Sequence, residues 1–165
     1  MEKQIILLNG ASSSGKSTLA KELQKIIFEK RNEKYEIVSI DDFLKMNTED
    51  TIYEDDVFEI SCDLCKKVLE VLKTSSGAII DHVITSERIF NQLKEVLGSY
   101  QIKLVHITCP LEVLKKREKD CKNRYLGSAE ASYNYLFPQD GYDLTLDTHI
   151  MTAEECALKI YNAFF

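Results

Sequence analysis

The sequence lacks any apolar run long enough to cross a membrane, and no signal peptide precedes its first apolar segment. It also lacks an excess of basic residues, because 27 acidic side chains oppose 21 basic ones and leave a formal net charge of -6. Basic surfaces bind nucleic acid, so this balance argues against a nucleic-acid partner. We therefore expect a cytoplasmic protein with no membrane partner. Its 165 residues suit one domain, 1–165, acting as a monomer or a homo-oligomer.

The five cysteines do not form the pattern of a zinc site. Cys62 and Cys65 have C-x-x-C spacing, but a zinc site needs a second pair, and none lies near them in the sequence. Both cysteines fall in a helical pattern, so we interpret them as residues of a helix face. An odd number of scattered cysteines is typical of reduced thiols.

Residues 10–18 read GASSSGKST and fit the phosphate-binding pattern G-x-x-x-x-G-K-[ST], between an apolar run and a helical pattern. Glycines at both ends let the chain turn so that successive backbone N–H groups face a phosphate. Lys16 supplies a positive charge at the β- and γ-phosphates, and the Ser17 hydroxyl is placed to ligate Mg²⁺. The predicted nucleotide contacts in this loop are Gly10, Ser12, Ser13, Ser14, Gly15, Lys16, Ser17 and Thr18.

Two short apolar segments lead into acidic residues. Residues 77–83 read GAIIDHV, the form of a Walker B strand, in which Asp81 would orient Mg²⁺. Residues 35–40 deliver Asp41 and Asp42 at the carboxyl end of a strand, where ligands bind in open parallel sheets. Successive strand residues point to opposite faces, so only one of the two carboxylates can face the phosphate. We predict that Asp41 is the catalytic base and Asp42 an acceptor contact, and the reverse assignment stays open.

Residues 42–60 are polar and acidic, and we interpret them as irregular, either a solvated connection or the wall of an acceptor pocket. Helical spacing returns at Ile60. A phosphorylated acceptor would need arginines to neutralise its phosphate, and Arg88 is the only arginine between Asp41 and Gly98. We therefore expect a neutral or cationic alcohol, such as an antibiotic or an aminosugar, with Arg88 as one of its contacts.

A cluster of basic residues follows Pro110 in an otherwise acidic chain. Its members are Lys115, Lys116, Arg117, Lys119, Lys122 and Arg124. One interpretation is a solvated helix face. The other, which the concentration of charge favours, is a lid over residues 118–140 whose arginines Arg117 and Arg124 close over the transferred phosphoryl group.

The alternation of strand and helix patterns predicts an α/β protein with a parallel sheet covered on both sides. A phosphate-binding loop does not by itself choose a reaction. The N-K-x-D segment with which GTPases bind guanine is absent from the sequence, and the chain is short for a multidomain ATPase. A small kinase is the main hypothesis. The alternatives are a nucleotide-binding regulatory ATPase with no small-molecule acceptor and a toxin-like nucleotide-sugar kinase.

Six segments together carry a resemblance to a known family. They are residues 10–17, 40–44, 79–83, 109–118, 124–127 and 142–148. In this order they resemble the chloramphenicol phosphotransferase family, which belongs with the P-loop fold of shikimate, gluconate and adenylate kinases. The likeness is weakest over residues 42–60, so it does not identify the acceptor.

This resemblance implies a three-layer fold with five parallel strands in the order 2-3-1-4-5 and a short lid. It also implies ATP- and Mg²⁺-dependent phosphorylation of a hydroxyl on a small molecule. The family's catalytic aspartate falls on Asp41, and its lid arginines fall on Arg117 and Arg124. Contacts with the nucleotide base in such folds come from the turn after the fifth strand, near Thr148.

Overall fold

Five parallel strands form one sheet in the order β2-β3-β1-β4-β5, as the resemblance implied. The computed structural model describes residues 2–44, 54–121 and 126–165. The strands in these ranges are β1 (Gln4–Asn9), β2 (Tyr35–Ser39), β3 (Gly77–His82), β4 (Gln101–Thr108) and β5 (Leu144–Asp147). The helices in the same ranges are α1 (Lys16–Arg31), α2 (Asp41–Leu44), α3 (Glu54–Val71), α4 (Glu87–Leu97), α5 (Leu111–Asp120), α6 (Ser128–Tyr135) and α7 (Ala153–Phe164).

The central strand β1 is buried along its whole length because helices cover both faces of the sheet. Ile5 and Leu7 pack on one face, in a core that includes residues of α3 and α4. Ile6 and Leu8 pack on the other face, against α1 and α7. This three-layer α/β arrangement confirms the predicted fold class. None of the helices in the described ranges combines the length and hydropathy that a bilayer crossing requires.

Local sequence signals account for several helix ends. The Thr152 hydroxyl accepts the N–H of Glu155, whose carboxylate accepts the N–H of Thr152, so a capping box opens α7. Ser86 caps α4 by accepting the N–H of Ile89. Gly98 ends α4 with φ at -67°, so a left-handed turn is not the reason for glycine there. A β-carbon on Gly98 would instead collide with the carbonyl oxygen of Lys94.

The interpretation of residues 42–60 as irregular is wrong for residues 42–44, which belong to α2, and for residues 54–60. Helix α3 begins at Glu54 rather than near Ile60, and Val57, Phe58 and Ile60 pack against the core. Three acidic residues occupy its first turn, where carboxylates stabilise the positive end of the helix dipole. The same acidic charge that suggested a solvated connection therefore favours the start of a helix. Residues 45–53 lie outside the described part of the chain.

Gly77 begins β3 where two neighbouring segments leave no room for a side chain. A β-carbon there would collide with the ring of Tyr35 and lie 2.6 Å from the carbonyl oxygen of Gln4. Tyr35 is only 3% exposed and starts β2, so its ring has little space to move. The glycine lets the three strands meet at the amino edge of the sheet.

We expect Gly77→Ala to lower the free energy of unfolding by about 1–3 kcal/mol, the usual cost of forcing extra atoms into a packed core. Chemical denaturation followed by circular dichroism measures the change. Ser76→Ala, one residue earlier, is the matched control and should stay close to the wild type. A Gly77→Ala protein as stable as the wild type would contradict this account of the glycine.

Candidate active site

The phosphate-binding loop leaves β1 at Gly10, a position with no room for a side chain. A β-carbon at Gly10 would collide with the carbonyl oxygen of Ile107 on the adjacent strand β4. Ser13 and Gly15 have φ values of 72° and 95°, in the left-handed region. This backbone forms the kind of concavity in which successive N–H groups bind an anion, and it leads directly into the N-terminus of α1.

Side chains of the loop fit a triphosphate. Lys16 is 5% exposed, and its ammonium group donates to the carbonyl oxygen of Ala11 at 2.9 Å and to the Ser14 hydroxyl at 3.3 Å. The amine thus lies across the concavity of its own loop. The Ser13 hydroxyl is buried and has no hydrogen-bond partner among the described residues. A phosphate oxygen is an acceptor that would satisfy it, so the loop suits a nucleotide phosphate.

Ser17, Asp81 and Ser39 form a chain of hydrogen bonds that connects the loop with β2. The Asp81 carboxylate, on a residue that is 3% exposed, accepts the Ser17 hydroxyl at 2.7 Å and the Ser39 hydroxyl at 3.1 Å. The Ser39 oxygen in turn accepts the N–H of Asp41 at 3.3 Å. The structure thereby brings three predicted site residues together, and the oxygen atoms of Ser17 and Asp81 are of the type that Mg²⁺ binds.

The two aspartates of the Asp-Asp pair differ in exposure. Asp41 is half-buried at the start of α2, whereas Asp42 is exposed. The N–H of Ile40 donates to the backbone oxygen of Asp81, which extends the pairing of β2 and β3 to the residue before the pair. Asp41 is therefore held at the carboxyl edge of the sheet beside the predicted metal position. Its role as base, like that of Asp42 as acceptor contact, stays a prediction.

Arg117 and Thr148 meet on the outer side of the phosphate-binding loop. The Arg117 guanidinium donates to the Thr148 hydroxyl at 3.1 Å, to the Thr148 carbonyl oxygen at 3.0 Å and to the Ser13 carbonyl oxygen at 3.4 Å. The Thr148 hydroxyl donates to the carbonyl oxygen of Ser14 at 2.6 Å. The proposed lid arginine thus lies beside the turn predicted to contact the base. Arg124 lies outside the described residues, and the two lid roles stay predictions.

Two residues that sequence reasoning missed attach α6 to this site. Glu118, 4% exposed, accepts the N–H groups of Gly127 and Ala129 and the hydroxyl of Ser128, so it caps the N-terminus of α6. Further along that helix, the Ser132 hydroxyl accepts the N–H of Ser12 at 2.9 Å. In the sequence, Glu118 stands nine residues before Gly127, and no local rule connects a glutamate with a glycine at that spacing.

Arg88 lies between the starts of α3 and α4. Its guanidinium donates to Glu54 at 3.1 Å and to Asp55 at 2.7 Å, and it stacks 3.8 Å above the ring of Phe58. These carboxylates raise the pKa of Arg88, with the hydrogen bond that it donates to Asp55 as the largest cause. Two acidic partners thus offset the charge that was predicted to contact the acceptor.

Two titratable side chains near the site are held neutral at pH 7. Burial lowers the pKa of His82 to about 4, and its Nε2 lies 3.2 Å from the Ser61 hydroxyl of α3. Burial, with a smaller contribution from Cys62, raises the pKa of the Cys65 thiol to about 12. A thiol with so high a pKa is a poor nucleophile and a poor metal ligand, which agrees with the interpretation of Cys65 as a packed helix residue.

Comparison with known proteins places the chain among the P-loop kinases. The family described as chloramphenicol phosphotransferase-like protein matches residues 3–164. No curated protein matches the sequence significantly.

Several solved structures are similar to the chain at low sequence identity. The Mycobacterium tuberculosis APS kinase CysC, in complex with AMPPNP and APS, is 16% identical with a TM-score of 0.76 and covers 98% of this chain and 97% of its own. A Sinorhizobium meliloti gluconokinase is 15% identical with a TM-score of 0.66, and the match covers 99% of this chain and 98% of the gluconokinase. A Deinococcus radiodurans tunicamycin resistance protein is 14% identical with a TM-score of 0.67, and the match covers 97% of this chain and 94% of the resistance protein. At these identities the likeness shows the fold.

The cap on α6 predicts an acid-sensitive contribution to stability. Burial alone would raise the pKa of Glu118, but hydrogen bonds from Ala129, Gly127 and Ser128 outweigh it and lower the pKa below the ordinary value of 4.5. The stabilisation is therefore present above pH 4.5 and is lost as the pH falls through the lowered pKa of the folded protein.

We expect Glu118→Gln to reduce the free energy of unfolding most at neutral pH, with the difference from the wild type shrinking as the pH falls below 4.5. Denaturation series at several pH values measure this. Glu95→Gln, at an exposed position of α4, is the control and should give a small difference at every pH. A Glu118→Gln difference that does not depend on pH would show that the carboxylate charge is not what holds α6.

Proposed function

Since the chain belongs to the chloramphenicol phosphotransferase-like family and is therefore a P-loop kinase, we propose that it transfers the γ-phosphoryl group of Mg·ATP to a hydroxyl of a small neutral or cationic molecule. An antibiotic or an aminosugar has this chemistry. The observation that carries the proposal is the hydrogen-bond chain from Ser17 through Asp81 and Ser39 to Asp41. It connects the loop that would hold the phosphates with the backbone of Asp41, the residue whose carboxylate would receive the acceptor's proton.

The demands of the reaction agree with this arrangement. Phosphoryl transfer has a loose transition state, so the acceptor hydroxyl keeps its proton until late and an ordinary carboxylate suffices as base. Asp41 therefore needs good placement, and the hydrogen bond from its backbone N–H to the Ser39 hydroxyl supports such a role. Lys16 would stabilise negative charge on the β- and γ-phosphates, and Ser17 and Asp81 would hold the metal. Bound Mg²⁺ would supply charge neutralisation at those phosphates.

The charges around Arg88 support an acceptor that carries no phosphate. A phosphate on the acceptor would need a cation to bind it, and Arg88 is already paired with Glu54 and Asp55. Asp42 and Asp56 add further negative charge at the starts of α2 and α3. We therefore rank neutral and cationic alcohols above nucleoside monophosphates and phosphosugars.

A screen of antibiotics, aminosugars and metabolites with ATP, read by mass spectrometry for the gain of one phosphoryl group, tests the acceptor class. We expect turnover among the uncharged and cationic alcohols. Best turnover with nucleoside monophosphates or nucleotide sugars would overturn the ranking, and ATP hydrolysis with no acceptor at all would favour a regulatory ATPase.

We expect Asp41→Asn to keep ATP affinity and to lower kcat by about 10²–10⁴-fold, the usual contribution of a positioned general base. Isothermal titration with a non-hydrolysable ATP analogue measures the first quantity, and single-turnover phosphoryl transfer measures the second. Asp42→Asn is the matched control and should keep kcat close to the wild type. The reverse result, with Asp42→Asn inactive and Asp41→Asn active, would exchange the two roles.

A further inference from the structure

Asn9 is fully buried at the end of β1, immediately before the phosphate-binding loop. Its side-chain amide makes three hydrogen bonds to residues far away in sequence. The Nδ2 group donates to the carbonyl oxygen of Phe137 at 2.9 Å and to the Tyr142 hydroxyl at 3.0 Å. The Oδ1 atom accepts the N–H of Ile84 at 2.9 Å. One side chain thus joins the base of the loop to two other segments.

These segments are the β3–α4 loop, residues 83–86, and the return segment, residues 136–142, which follows α6. They also bind each other, because the N–H of Phe137 donates to the carbonyl oxygen of Ile84 at 2.9 Å. The Tyr142 hydroxyl donates to the carbonyl oxygen of Pro138 at 2.6 Å, and its ring stacks on His106 of β4 at 4.6 Å. Asn9 therefore lies at the centre of a closed set of contacts.

The chemistry of the contact set selects an amide. A buried backbone N–H and a buried carbonyl oxygen both need partners, so the side chain between them must donate and accept. A carboxylate of the same size would accept from Ile84 but could donate to neither Phe137 nor Tyr142. Asparagine satisfies all three groups within one short planar side chain.

The return segment is also connected to the loop through α6. Helix α6, which precedes the segment, carries Ser132. The Ser132 hydroxyl accepts the N–H of Ser12, so α6 contacts the phosphate-binding loop two residues after Gly10. The β3–α4 loop follows the strand that carries Asp81. Both segments thus adjoin elements that carry predicted site residues.

We propose that Asn9 is a positioning residue for phosphoryl transfer: it holds the β3–α4 loop and the return segment in register with the phosphate-binding loop. It contacts neither phosphate nor acceptor in this role. Alignment of acceptor and donor depends on it, whereas the affinity for ATP does not. The kinetic part of this inference rests on the proposed kinase function.

We expect Asn9→Asp to lower kcat/KM for the acceptor found in the screen by about 10- to 100-fold, since a small misplacement costs that much. Tyr142→Phe removes one partner while keeping the ring and adds no charge beside the loop. It should give a smaller loss of kcat/KM, with the Kd for an ATP analogue within about twofold of the wild type. Asn162→Asp, at an exposed position of α7, is the matched control for the change of amide to acid.

Amide hydrogen exchange tests the same inference without an acceptor. In Asn9→Asp and in Tyr142→Phe, which remove hydrogen bonds between Asn9 and the return segment, exchange should become faster in residues 136–142 and stay unchanged in residues 10–18. If no acceptor is ever found, this result still supports the positioning role while the proposed function fails. Unchanged exchange in the return segment, or a loss of ATP affinity in Tyr142→Phe equal to its loss of kcat/KM, would overturn the inference. Should Asn9→Asp not fold, Tyr142→Phe alone decides between these outcomes.

Discussion

The hydrogen bonds that the Asp81 carboxylate accepts from Ser17 and Ser39 are the interaction on which the site depends. A carboxylate that is 3% exposed is costly to bury unless polar groups surround it, so both hydroxyls stabilise its charge. One belongs to the first turn of α1 and the other to β2. A single buried carboxylate therefore connects the phosphate-binding loop with β2, the strand that leads to Asp41.

The order of the strands makes this possible. Because β3 lies between β2 and β1, Asp81 is the register partner of both Ser39 and Leu8. The next residue, His82, pairs with Asn9 and points to the opposite face, where Ser61 of α3 meets it. At this edge of the sheet, the face with Asp81 thus meets the phosphate-binding side of the site, while the opposite face, with His82, meets α3.

Much of this architecture follows from local patterns in the sequence. The apolar segments 35–40 and 77–83 match β2 and β3 to within one residue, because a buried strand in a parallel sheet has apolar residues on both faces. The start of α3 was wrong because acidic residues were interpreted as solvated, although Glu54 and its neighbours favour the start of a helix. At the end of α4, crowding by Lys94 rather than backbone handedness requires Gly98, and no local pattern in the sequence distinguishes the two reasons.

The sequence by itself determined the phosphate-binding loop, the strand pattern and the acidic residues at the strand ends, since each depends on neighbours within a few positions. Only the tertiary structure decided the partners of Asn9, of Arg117 and of Glu118. Ile84, Phe137 and Tyr142 lie from 75 to 133 residues away from Asn9 along the chain. A buried amide finds its hydrogen-bond partners wherever the fold brings a donor or an acceptor close. No pattern of residue spacing in a sequence predicts partners that lie so far apart along the chain.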